Sequence, residues 1–262
     1  MIPEIFQAIV RTEPDLLLRS EVATGDSPQR AALVGALLHL YEEEKAFDRD
    51  REHYKNLGHP CLTDQLRPFI VDKTKGFIVR RVAIDIAKSC DVQNLNDALL
   101  ALVLDTSDNL SIRVQAAYAI GRIGNDGTRN GLKQLALADD PNDREDELKG
   151  SILRALWPRH ITAGELFPLL KPRKSESLFG AYQDFLSSEL VKELHPQDLI
   201  PALEFVGSLP QGRHEMDTSF ESLMDGIVIK AWENMAVPAV TEAGFGGGSR
   251  FGFEILDSLA SH

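Results

Sequence analysis

The chain has 262 residues, 43% of them hydrophobic and 7% aromatic, enough to bury a large core in one elongated domain or two smaller ones. Its 40 acidic residues outnumber 28 basic ones, and the net charge of −12 makes a surface that repels phosphate backbones and anionic lipids, so proteins are the expected partners and nucleic acid is not the main one. No apolar run approaches the roughly 18 residues of a membrane span, Met1-Ile2-Pro3-Glu4-Ile5 lacks a signal-peptide pattern, and two cysteines, Cys61 and Cys90, make no disulfide framework, so a reducing, cytoplasmic location is expected.

In chain order, Thr12-Glu13-Pro14-Asp15 sets a proline in the first turn of a helix carrying Leu16, Leu17 and Leu18. Ser27-Pro28 opens a longer helix, from 29 to about 45, with Leu33, Ala36, Leu37, Leu40 and Tyr41 on one face. His59-Pro60 opens the segment of Leu62, Leu66 and Phe69. Over 74–89 the apolar residues Phe77, Val79, Val82, Ile84 and Ile86 crowd more than one face, the pattern of a helix buried on several sides. Asp105-Thr106-Ser107-Asp108-Asn109 is a polar turn with capping residues. Gly124-Asn125-Asp126-Gly127 joins two further helices, and an acidic connector over 139–146 leads into a helix with Leu148, Ile152, Ala155 and Leu156 inside. Thr162-Ala163-Gly164-Glu165 is a capping box ahead of Leu166. Helical segments follow over 179–190, 196–209 and 219–232, with a loop at Gln211-Gly212-Arg213-His214, a glycine-rich hinge over 244–248 and a last helix from about Arg250. No stretch reads as a strand, so the fold class is all-α.

Two of these segments are copies of one unit. Val79-Arg80-Arg81-Val82-Ala83 returns 33 residues later as Ile112-Arg113-Val114-Gln115-Ala116, and the same shift carries Leu99 onto Leu132, Leu102 onto Leu135 and Leu104 onto Leu137. The helix after the acidic connector makes a third copy, displaced by about 36 residues. Such a period means helix pairs that bury their apolar faces on their neighbours. The organisation read from it is an N-terminal helical region over 1–73, repeats over 74–210, and a C-terminal helical segment with its glycine-rich loop over 211–262. The end at Leu259-Ala260-Ser261-His262 carries no polar cap, as in a segment cut from a longer chain.

Arg80 and Arg113 occupy equivalent places in the repeat. Two roles fit them: a basic ridge that lines a protein-binding face, or guanidinium groups that cap carbonyls and pair with acids of the next unit. Other chemistry is poorly supplied. His53, His59 and Cys61 follow no zinc-ligand spacing, and no CxxC occurs. A single His214-Glu215 pair falls short of the several pairs a di-iron hydroxylase uses, and the acidic run lacks the alternating ligands and central glycine of a calcium loop; a solvated connector is expected there. The glycines over 244–248 lead into Ser249-Arg250 rather than Gly-Lys, so no phosphate loop is expected, and no G-x-S-x-G occurs. Trp157, with Arg154, Arg159 and His160 near it in sequence, reads as a core anchor.

The pattern Ile112-Arg113-x-x-Ala116-Ala117-x-x-Ile120-Gly121-x-Ile123-Gly124 is similar to the inner helix of HEAT repeats. The strings Leu148-Lys149-Gly150-Ser151-Ile152-Leu153-Arg154-Ala155-Leu156-Trp157-Pro158, Glu165-Leu166-Phe167 and Phe179-Gly180-Ala181-Tyr182-Gln183-Asp184-Phe185-Leu186 resemble the helical region C-terminal to the NTPase core of bacterial NACHT-type STAND proteins, as does Arg80-Arg81-Val82-Ala83-Ile84-Asp85-Ile86-Ala87. These resemblances imply a HEAT-like α-solenoid of stacked helix pairs with an irregular C-terminal part. They imply a non-catalytic sensor or regulatory region that binds a protein or an attached NTPase domain, with a place in antiphage defence. No catalytic, cofactor or metal residue carries over, because no nucleotide motif of that group occurs in this chain. A free-standing adaptor is the alternative, and a HEAT-like lyase or hydroxylase would instead show a polar cluster or cofactor on its concave face.

Overall fold

The computed structural model describes residues 3–20, 25–43, 51–138, 140–174, 179–209 and 218–245. Among these every regular element is helical. The chain divides into two compact units, Met1–Gly131 and Leu132–His262. That division falls inside the stretch 74–210 expected to hold the repeats. A boundary at 73/74 would separate two helices that pack on each other, α4 and α5 below. The expected loop at Gln211-Gly212-Arg213-His214, the pair His214-Glu215 and the helix from Arg250 lie outside the described residues.

The first unit starts with α1 (Pro3–Thr12) and α2 (Pro14–Leu18), whose Pro14 stands in the first turn as expected. Helix α3 (Ser27–Glu42) is capped by Asp26, which accepts the Gln29 N–H at 2.9 Å. It buries Leu33, Val34, Leu37, Leu38 and Tyr41. A 3₁₀ turn over Arg51–Leu57 leads to two successive helix pairs, α4 (Leu62–Val71) with α5 (Phe77–Ser89), and α6 (Asn96–Leu104) with α7 (Leu110–Ile123). The short α8 (Asp126–Gly131) closes the unit.

Helix α5 packs on α4, α3, α7 and the 3₁₀ turn, and accordingly buries Val79, Arg80 and every residue from Val82 to Ala87. The crowding of apolar residues on several faces thus has its cause in neighbours on several sides. Helix α7 is buried in the same manner, through Ile112, Arg113, Val114, Ala116, Ala117, Ala119, Ile120 and Ile123.

The second unit holds α9 (Lys133–Leu137), α10 (Glu147–Leu156), α11 (Ala163–Leu166), α12 (Ala181–Asp184), α13 (Leu190–Lys192), α14 (Leu199–Ser208), α15 (Thr218–Glu233) and α16 (Pro238–Phe245). A π-helical turn over Phe185–Glu189 fuses α12 and α13 into one continuous helix. The Thr162–Glu165 capping box forms: the Glu165 carboxylate accepts the Thr162 N–H at 2.8 Å, and the Thr162 hydroxyl accepts the Glu165 N–H at 3.3 Å. Phe205 links Phe167 and Phe220, with ring centroids 5.2 and 5.9 Å apart, so α14 is stitched to the 3₁₀ turn Phe167–Leu169 and to α15. Trp157 is buried, as a core anchor requires. The leucine repeat fades here, because Leu132 is buried, Leu135 is half-buried and Leu137 is 71% exposed.

Candidate functional site

Arg80 and Arg113 lie on the equivalent helices α5 and α7, and both are inside the packing, 3% and 1% exposed. Arg80 Nη2 donates to the carbonyl of Ile70 at 3.1 Å, and Arg113 Nε donates to the carbonyl of Val103 at 3.0 Å. Each acceptor lies ten residues before its donor and near the C-terminal end of the preceding helix. The last carbonyls of a helix have no partner within it, and here a guanidinium supplies one. Arg80 also grips Asp108 through two nitrogens, each at 2.7 Å. A ridge that a partner could touch requires exposed guanidinium groups. These two instead tie the helices of each pair together, and Arg80 also reaches the turn that leads into α7.

The turns repeat with the helices. Asp72 Oδ1 accepts the N–H of Thr74 at 2.9 Å and its hydroxyl at 2.7 Å. Asp105 Oδ1, 33 residues on, does the same for Ser107 at 3.0 and 2.6 Å. Asp140 accepts the Asn142 N–H at 2.9 Å in the second unit. Between turns of the first unit run charge pairs: Lys75 with Glu42, Lys73 with Asp105, and Arg80 with Asp108. Lys73, followed by Ser107, draws the Asp105 carboxyl down to about 2. Arg80 lowers Asp108, and Thr74 lowers Asp72. Carboxylates held ionised beside cations suit a structural staple, whereas a general base at neutral pH needs its pKa raised. The spacing Asp-x-Thr, Asp-x-Ser, Asp-x-Asn was present in the sequence as the signal for these turns.

The histidine and cysteine candidates are engaged separately. His59 Nε2 lies 3.0 Å from Gln65 Oε1, and Gln65 Nε2 donates to the Ala31 carbonyl at 2.9 Å. Cys90 donates its thiol to the Tyr54 carbonyl at 3.0 Å, and burial pushes its pKa up to about 11, which leaves little thiolate. Cys61 is exposed, and His53 lies against Glu52 at 3.4 Å. Among the described residues no group of three or more His, Cys, Asp or Glu is placed to hold a metal ion, and no helix is long and apolar enough to cross a membrane.

The acidic connector departs from the expected solvated run. Asp143 and Asp146 are buried at the N-terminal end of α10, 2% and 1% exposed. Asp143 Oδ2 accepts the Lys149 N–H at 2.9 Å, and Glu147 accepts the Ala181 N–H at 3.0 Å. Burial raises the carboxyls of Asp143 and Glu147 above their ordinary values. Lys149, which stands where Arg113 stands in the second copy, carries its ammonium over the Tyr182 ring at 4.5 Å.

Compared with models of known protein families, with characterised proteins and with solved structures, the chain matches none.

Proposed function

We propose that the chain is a non-catalytic protein-binding module, a HEAT-like α-solenoid that serves as the sensor or regulatory region of a NACHT-type NTPase. The observation that carries the binding reading is the 33-residue recurrence of one packing unit: Asp72 and Asp105 turn the chain alike, and Arg80 and Arg113 bond equivalent carbonyls. Units built alike extend a surface by repetition, and an extended surface holds another macromolecule. The net charge of −12 favours a protein with a basic face.

The regulatory reading rests on the resemblance of the strings around α10 and α12 to the helical region of STAND proteins, and a role in antiphage defence rests on that same resemblance. A bound protein would act by its differential contacts with two arrangements of the NTPase, favouring one of them.

The test is crosslinking of the tagged chain in its native cells, followed by mass spectrometry of what it captures. A P-loop NTPase whose hydrolysis rate changes when the purified chain is added supports the proposal. Captured partners that hydrolyse no nucleotide would leave a free-standing adaptor. A stoichiometric metal or a coloured cofactor in the purified chain would overturn the non-catalytic reading in favour of a hydroxylase or lyase.

A further inference from the structure

The connector over 140–146 gathers oxygen atoms around one nitrogen. Lys174 Nζ lies 3.3 Å from the Asp140 carbonyl, 3.2 Å from the Asp143 carbonyl and 3.2 Å from Asp146 Oδ1. The ammonium donates to the two carbonyls and is drawn to Asp146 Oδ1 as an ion pair without a hydrogen bond. The main chain of the same residue is held as well, for the Lys174 N–H donates to Asp146 Oδ2 at 2.8 Å. Asp146 presents both oxygens from a left-handed backbone, φ 55°, a conformation that aspartate adopts at lower cost than most residues.

We propose that residues 140–146 form a cation-binding loop whose resident cation is the Lys174 ammonium, and that seating this ammonium latches residues 171–174 onto the N-terminal end of α10. The loop supplies main-chain carbonyls and carboxylates, the donor set that hard cations take. Two buried carboxylate oxygens, Asp143 Oδ1 and Asp146 Oδ1, have no hydrogen-bond partner, so the loop keeps acceptor capacity for a cation that its own hydrogen bonds do not use. Glu147, one residue beyond Asp146, bonds the N–H of Ala181 and so extends the latch to the first turn of α12. A lysine in place of an inorganic ion makes the latch independent of metal concentration. Any change that removes the lysine's charge takes away the cation paired with the buried Asp146 carboxylate.

The test is hydrogen exchange on the full chain and its Lys174→Met variant, read at the amides of residues 174 and 181. Loss of the cation is expected to speed exchange at both by at least about tenfold, while amides of α5 in the other unit keep their rates. Calcium chloride is expected to slow the variant's exchange again, with tetramethylammonium chloride at the same ionic strength having no such effect, and the native chain is expected to ignore both. Native exchange rates at 174 and 181 in the variant would overturn the proposal, as would a recovery that follows ionic strength alone. Should Lys174→Met fail to fold, the double variant Lys174→Met/Asp146→Asn decides: folding restored without any response to calcium supports the latch, and a double variant no better folded than the single one refutes it.

Discussion

Arg80 and Asp108 meet with side chains 4% and 5% exposed, so neither charge has water to fall back on. Removing one partner strands the other, and Arg80→Ala is expected to cost about 3–5 kcal/mol, with the Arg80→Ala/Asp108→Ala double variant costing less than the two single changes added together. Urea denaturation of the three variants measures this, and simple additivity would show the pair to be uncoupled. A second residue-scale consequence is opposite pH behaviour at two groups of acids. Asp143 and Glu147 have carboxyls raised by burial above their ordinary 3.8 and 4.5, so the folded chain holds these protons more tightly than the unfolded one. Their contribution is complete below the ordinary values and declines as pH rises through the folded ones. Asp105 and Asp108 are lowered by Lys73 and Arg80, and their contribution is lost as pH falls from 3.8, down to about 2 for Asp105. Asp143→Asn is therefore expected to remove part of the stability decline above about pH 4 while leaving the loss at lower pH intact, as read from thermal unfolding across pH. An unchanged profile would count against Asp143 as a buried acid.

At the scale of elements, Gly150 sets how closely α10 approaches α12. A Cβ there would stand 2.1 Å from the Tyr182 nitrogen and 2.4 Å from the Ala181 carbonyl carbon, both main-chain atoms that no rotamer change can move aside. Gly150→Ala is expected to cost about 3 kcal/mol, the upper end of ordinary over-packing, measured as a shift in denaturation midpoint at constant m. A loss below about 1 kcal/mol would mean that α12 gives way easily. Burial along the repeat gives a graded series. Leu132→Ala is expected to cost about 2–5 kcal/mol because the side chain is fully enclosed, whereas Leu137→Ala, 71% exposed, is expected to stay within about 0.5 kcal/mol. Equal costs at the two positions would contradict the burial that separates them.

For the whole molecule, the charge of −12 sets which macromolecules approach. The chain is expected to leave a labelled DNA duplex free at about 150 mM salt, with no change in fluorescence anisotropy, since it has no net positive charge to release counterions. Tight, salt-sensitive binding would require a local basic groove strong enough to outweigh the rest of the surface.

Composition and periodicity alone determined that the regular elements of the described residues are helical, where most of those helices begin, and that one sequence pattern recurs after 33 residues. Those properties depend on neighbours in sequence: Asp26 caps the Gln29 N–H three residues away, and Thr162 with Glu165 closes a box of four. The sequence also marked Arg80 and Arg113 as equivalent, but left open whether they face a partner or the core. Tertiary structure decided that, because the carbonyls of Ile70 and Val103 reach them only when the helices pair. It decided likewise that part of an acidic run which looks solvated is buried, with Asp146 accepting the main-chain N–H of a lysine 28 residues further on. Periodicity records which face of a helix is apolar, while the partner of a buried charge is fixed by whatever the chain brings back from elsewhere, and no local pattern encodes that return.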